Sequence, residues 1–461
     1  MNRLPPEILS RIARFACVHA TDARPTIPLT HVCRYWRGSI VSTPRNWTLI
    51  SSKSVALTEL SLGRCQAASL ELWLSMRQVR ENPRFTATIT PYMENTETLH
   101  ILCIVTTREL AQALPDFPQS MPKLRTLSLS PDVARDDQDM SVDPFGQSPL
   151  ALTCLSLTSL PLYPSLRRLT TLTTLTLRNH QFDLHLDILL NFLEANHMLE
   201  HASLDFRLTR PIFRYSRRRV GIVNRLQSLS ICSINATENN ALISKIPLQK
   251  GAHLEINHHH HITGLSDVLS GISVTHLSNL QSPTSMEYRP DDRSIQLLGP
   301  NGSFLFNCVS RRTSFAEFPL LQLTNIKTFR LVHRVRPAEP YMNFPRFKLA
   351  FPLLDFPNLE TLAIEHEIAV PHLLSALFAD PSAFPSLKTF AFLNCHLDET
   401  CMEALTKFAS GRKNTTSSWL HRVVIVSWGQ DPPNFASIDA LGAHVPVVDV
   451  QMGKRLPADL F

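Results

Sequence analysis

The chain has 461 residues, 44% hydrophobic and 18% charged, which is enough apolar material for a sizeable core and excludes the disordered class. Only 13 glycines stand against 33 prolines, which disfavours glycine-rich phosphate loops and points to many short connections. A net charge of +6 is too dilute for a dedicated nucleic-acid binder. No apolar window reaches the length of a membrane span, so no membrane association is expected. The nine cysteines are scattered and form no CxxC pair, which fits free thiols in a reducing compartment, cytoplasmic and/or nuclear.

Residues 1–50 read as a small all-α module. Leu4-Pro5-Pro6-Glu7-Ile8-Leu9 opens a helix, with prolines where backbone N–H groups lack partners and Glu7 at the positive end of the dipole. Leu4, Ile8, Leu9, Ile12 and Phe15 recur at helical spacing as one apolar face. After a polar loop over Thr21–Pro28, Leu29, Val32, Cys33, Trp36 and Ile40 repeat the pattern on a second predicted helix ended by Pro44. Such a short module has a core near the lower limit for independent folding. On these residues alone it is either a docking unit or a cap that seals an array behind it.

LPPEIL, a spacer, VCRYWR and then PRNW resemble the F-box in the form found in fungal F-box proteins with leucine-rich repeats. The resemblance spans Leu4 to about Ile50. One departure is Asn46, where the pattern usually carries an apolar residue. The resemblance implies docking to the adaptor subunit of an SCF-type cullin–RING ubiquitin ligase. It implies that Leu4, Pro5, Pro6, Ile8, Leu9, Val32, Cys33 and Trp36 provide or support the adaptor-binding surface.

Residues 51–98 read as a linker helix and a first, degenerate repeat, and residues 99–461 as an array. The unit is Φ-x-x-Φ-x-Φ, with Φ apolar. It starts at Leu99, Leu124, Leu152, Leu172, Leu199 and Leu226, more loosely at Gly251 and Val274, and again at Ile326, Leu359, Leu387 and Leu420. Most starts are about 20–33 residues apart, near the period of leucine-rich repeats. The one longer gap holds a hairpin expected near 294–310, SIQLL-GPNG-SFLFNCV. Helices are predicted over Leu186–Leu193, His372–Phe378 and Met402–Phe408, the last capped by Asp398 or Thr400. The expected fold is therefore an α/β solenoid: an F-box-like helical module followed by an irregular leucine-rich-repeat horseshoe with a parallel sheet.

No phosphate-loop, nucleophile-elbow or zinc-protease motif occurs, so no catalytic residue, cofactor or metal site is expected. His258–His261 reads as a polar tract, because adjacent histidines point to different sides. The arginine run Arg207–Arg219 reads as a solvated loop, with contact to an acidic partner or nucleic acid as the alternative; Asp132–Asp143 is its acidic counterpart. If the Φ residues face inward, the intervening ones line the concave face: Thr174, Thr176 and Arg178; His201, Ser203 and Asp205; His253, Glu255 and Asn257; Thr328 and Arg330; Thr361 and Glu365. Arg178, Asp205, Arg330 and Glu365 are expected to be free for directed contacts with a protein substrate. The expected role is a non-enzymatic substrate receptor of a ubiquitin ligase; the alternative is a repeat scaffold whose N-terminal helices are only a cap.

Overall fold

A computed structural model describes residues 4–20, 23–104, 121–131, 151–160, 162–184, 186–208, 225–233, 240, 242–246, 248–258, 277, 281–289, 294–308, 323–332, 356–365, 384–395, 397–415, 419–427 and 434–452. The expected helix at His372–Phe378, the stretch Asp132–Asp143, the arginine run beyond residue 208, the histidine run beyond residue 258 and the repeat at Val274 apart from Leu277 lie outside the described residues. The chain divides into two compact units, Met1–Leu226 and Gln227–Phe461.

The first unit opens with α1 (Pro6–Ala20), α2 (Thr26–Leu29) and α3 (Arg34–Val41). The single second helix expected from Leu29 to Ile40 is broken. Thr30 and His31 close the short α2 by bonding back to Ile27 and Pro28, and Cys33 is extended at φ −161° as the residue that starts α3. Leu29, Val32 and Cys33 therefore do not share a helix face with Trp36. On α1, Leu9, Ala13 and Cys17 recur every fourth residue and are buried, and the two small members let the helices approach closely.

A parallel sheet follows at once, with β1 (Leu49–Ser51), α4 (Val55–Cys65), β2 (Leu70–Ser75), α5 (Met76–Glu81), α6 (Pro83–Ile89) and β3 (Thr96–Ile104). It continues through β4 (Thr126–Pro131), β5 (Cys154–Thr158), β6 (Thr174–Leu184), α7 (Leu186–Ala195) and β7 (His201–Leu208). Each strand pairs in parallel with the next, from β1 to β7.

The second unit holds β8 (Ser228–Ser233), β9 (His253–His258), β10 (Ser285–Arg289), β11 (Ser294–Gly299), β12 (Gly302–Cys308), β13 (Thr328–Val332), β14 (Thr361–Glu365), β15 (Thr389–Leu393), α8 (Glu399–Thr415), β16 (Arg422–Ser427), α9 (Phe435–Gly442) and β17 (Val447–Met452). Its spatial order is β8-β9-β12-β11-β10-β13-β14-β15-β16-β17. Among the described strands only β11 runs antiparallel, so β10, β11 and β12 fold back as a meander between β9 and β13. Gly299 pairs with Gly302 across the turn. Gly302 sits at φ +122°, a backbone state that L side chains rarely adopt. A Cβ on Gly299 would lie 3.1 Å from the backbone of Ser282 and Pro283. The chain thus folds as mostly parallel strands in a solenoid-like series of repeats, and no helix among the described residues is long and apolar enough to cross a membrane.

The repeat has one more position than its sequence pattern displays. In six units the first Φ residue donates its N–H to the carbonyl three residues earlier: Leu124 to Met121, Leu172 to Leu169, Leu199 to Asn196, Ile326 to Leu323, Leu359 to Phe356 and Leu387 to Phe384. All six turn residues are buried. The Φ positions behave as their period-2 spacing requires: Leu127, Leu129, Leu175, Leu177, Leu229, Leu362 and Ile364 are all buried. Strand exits also repeat. Ser159 after β5 and Asn394 after β15 take φ of 49° and 53° and donate to Arg178 and Val426 of the following strand. Truncating a stacked position, as in Leu177→Ala, is expected to cost about 2–5 kcal/mol of stability in denaturant titrations.

Candidate functional site

Two surfaces collect the side chains with chemistry to offer. On the helical module the expected single apolar face of α1 is split in two. Leu9 is 1% exposed and belongs to the interior, so it acts on the surface only by holding the helix in place. Leu4, Ile8, Ile12 and Phe15 turn outward, with Phe15 at 70% exposed, and Val32 in the turn before α3 is 58% exposed. Ile8, Ile12 and Phe15 are neighbours on one helical stripe. Pro5 and Pro6 are exposed; the Pro5 carbonyl accepts from the N–H groups of Ile8 and Leu9, which starts α1. Cys33 is exposed and Trp36 half-buried.

The rest of the module is tied internally. Tyr35 donates to the Leu4 carbonyl at 2.8 Å, fixing the start of α1 against α3. Asn46, the departure from the sequence pattern, is buried as a polar clasp. Its Oδ1 accepts from Ser10 Oγ at 2.7 Å, and its Nδ2 donates to the Ile40 carbonyl at 3.2 Å. Trp47 is fully buried, donates Nε1 to the same carbonyl at 3.1 Å, and lies under the Arg64 guanidinium. Exposed charge on the module is mostly positive among the described residues: Arg11, Arg14, Arg24, Arg34, Arg37 and Arg45 are exposed, against Glu7.

The second surface is the face of the strands turned away from the Φ residues. In the first unit it is a field of half-buried hydroxyls, among them Ser128, Ser156, Thr176 and Ser203, in register across β4 to β7. At one side Trp73 stacks on His100 with ring centroids 3.8 Å apart. Trp73 Nε1 donates to Glu71 at 2.9 Å, and His100 Nε2 is 3.7 Å from the same oxygen. The His100 imidazole beside it, ahead of the hydrogen bond from Trp73 and against the opposing effect of burial, holds the Glu71 carboxyl below its ordinary 4.5. A lowered folded-state pKa means that the stability due to Glu71 is complete above 4.5 and disappears as pH falls through the folded value. Glu71→Gln is therefore expected to flatten the acid side of a plot of stability against pH while leaving its shape above pH 5 to other groups.

Arg178 and Asp205 sit side by side in register on β6 and β7. Arg330 and Glu365, expected to stand free, are bound to each other. Arg330 Nη2 reaches Glu365 Oε2, and its Nη1 is 3.2 Å from Glu287 Oε2, while Arg289 holds the other Glu287 oxygen. The cause is register: Glu287 pairs with Arg330, and Glu365 stands two residues beyond Ala363, the Arg330 partner on β14. Glu365 is only 7% exposed, so these two residues brace the sheet. The expected wetted face also ends here. Ala363, Ala391, Leu393, Val424 and Val426 form a buried apolar cluster on β14 to β16.

Among the described residues no group of three or more His, Cys, Asp or Glu could hold a metal ion. Burial first, with Asp398 second, pushes the Cys401 thiol up to about 12, and burial raises Cys65, so neither is a thiolate at neutral pH.

No protein-family model matches the chain. No curated protein matches it either. A crystal structure of a Bacteroides fragilis protein is similar at 12% identity over 79% of this chain and 68% of that one, with a TM-score of 0.23, a level that carries no argument about fold or function.

Proposed function

We propose that the chain is the substrate-recruiting subunit of an SCF-type cullin–RING ubiquitin ligase, an F-box-like module joined to irregular leucine-rich repeats. The observation that carries this reading is the exposed stripe of α1. Leu4, Ile8, Ile12 and Phe15 remain outside although the same helix buries Leu9, Ala13 and Cys17. A helix that only sealed the array would need a single apolar side; the second one is suited to a partner. Of these, Leu4 and Ile8 fall at positions where the F-box pattern places its adaptor contacts, and Ile12 and Phe15 extend the stripe beyond them. The arginines of the module favour a partner that is apolar at its centre and acidic at its rim.

The strand face is the recruiting surface of this reading, with hydroxyls in the first unit and mixed polar groups in the second. Ubiquitin transfer would be carried out by the other subunits, so this chain needs no nucleophile. Affinity purification of the tagged chain from cell extract, read by mass spectrometry, tests the role. The expected result is recovery of the ligase adaptor and cullin in amounts comparable with the bait. Their absence would leave the repeat-scaffold reading, in which the helices are a cap.

A further inference from the structure

The strand face of the second unit carries four carboxylates among the described residues: Glu255 on β9, Glu287 on β10, Glu365 on β14 and Asp449 on β17. Three are matched by cations of the same sheet. Glu287 is held by Arg289 and Arg330, Glu365 by Arg330, and Asp449 by Arg422 at 2.7 Å. Glu255 has no cationic partner among the described residues.

It is instead held by neutral amides. Asn257 Nδ2 donates to Glu255 Oε1 at 3.1 Å, and Asn307 Nδ2 approaches the same oxygen at 3.5 Å while donating to Asn257 Oδ1 at 2.6 Å. Asn257 Nδ2 also lies 3.5 Å from Ser230 Oγ. This network fixes the carboxylate and uses one of its oxygens. It leaves Glu255 Oε2 and Asn307 Oδ1 as neighbouring acceptors that receive no hydrogen bond within the described residues. A half-buried, oriented carboxylate with a second acceptor beside it, and no cation of its own, is complementary to a multi-donor cation.

We infer that Glu255, oriented by Asn257 and Asn307, anchors a lysine or arginine side chain of the polypeptide recruited by this unit. The inference rests on the reading of the strand face as a recruiting surface and names the chemistry of the group bound there. Glu287, Glu365 and Asp449 already have arginines, so they do not compete for that cation.

The test is selection of a random dodecapeptide library on the full-length chain, followed by affinity measurements on a synthesised binder. The expected binder carries Lys or Arg at a fixed position. Glu255→Gln weakens its binding about tenfold or more. Changing the peptide's basic residue to Gln costs about the same, and the two losses together do not add. Gln296→Trp, which obstructs the same face two strands from Glu255, blocks binding as well, and thermal melting shows that both variants fold. Selected binders without a fixed basic residue, or binding unchanged by Glu255→Gln but lost in Gln296→Trp, overturn the inference alone. Binding indifferent to Gln296→Trp, or a library from which nothing is retained, overturns the recruiting-surface reading with it.

Discussion

Replacing Arg412 by alanine is expected to destabilise the second unit by roughly 3–5 kcal/mol, among the largest effects of any single substitution in the chain. Arg412 sits on α8 with none of its side chain exposed. Its Nη1 donates to the Phe384 carbonyl at 3.0 Å, and its Nη2 reaches the carbonyls of Pro385 and Leu387 at 3.4 Å each. Those carbonyls belong to the turn that launches β15, where Phe384 takes φ 59° and is itself buried. Desolvation lowers the Arg412 pKa, so holding a cation here is costly, and the carbonyl dipoles offset that cost. Alanine removes the guanidinium donors from all three carbonyls, of which Phe384 keeps the Leu387 N–H, and leaves a void beside Phe408, whose ring lies 5.6 Å from the guanidinium carbon. Arg412→Met separates the contributions: it refills much of the void but restores no donor, so most of the loss is expected to persist. Arg412→Lys is expected to recover little, because one ammonium cannot reproduce the planar fork. Urea titrations measure all three; a loss below about 1 kcal/mol for alanine would show that the turn does not depend on this clasp.

The second large effect concerns binding. Ile8→Glu, Ile12→Glu and Phe15→Glu together are expected to weaken adaptor binding by about a hundredfold or more, since exposed apolar anchors carry most of such an interface. Folding is expected to change little, because surface positions away from special contacts usually shift stability by about 0.5 kcal/mol or less each. Leu9→Ala makes the opposite control. At 1% exposed it is part of the module's interior, so it is expected to cost about 2–5 kcal/mol and to impair binding only through unfolding. Titrating a labelled adaptor against each variant, beside thermal melts of the same samples, distinguishes a lost surface from a lost fold. Equal binding by the triple variant would place the docking site elsewhere.

Much of the fold is legible because the Φ-x-x-Φ-x-Φ unit states both a period and a side: Leu175 and Leu177 are buried, and Thr174 and Thr176 are not. The helix over Leu186–Ala195 and its buried Leu189, Leu190 and Leu193 follow from the same reasoning. So does the cap of α8, where Asp398 Oδ1 accepts from the Cys401 N–H at 2.7 Å. The turn residue three places before each unit is less visible, since Met121, Leu169, Asn196 and Phe384 share burial but not chemistry. Strand β10 escapes notice because SMEYR is short and has only Met286 and Tyr288 to mark its buried side. Pairing of Arg330 with Glu365, 35 residues apart in sequence, depends on the register between two strands, which no local pattern encodes. The buried second face of β14 to β16 did leave a trace. TLAIE, TFAFL and RVVIVS are near-continuous apolar runs, the signature of strands covered on both sides. On α1, spacing groups Leu9 with Ile8 and Ile12, and only the packing of small Ala13 and Cys17 decides which edge of that apolar arc turns inward.

The proposed role requires that the outward stripe of α1 hold a ligase adaptor. Its most direct test is to mix the purified full-length chain with equimolar purified adaptor and measure mass by light scattering across a size-exclusion column. The predicted result is a single species with the summed mass of one copy of each, which separates into two peaks when Ile8, Ile12 and Phe15 are replaced by glutamate. Two separate peaks with the unmodified chain, or a complex that survives the triple replacement, would contradict it.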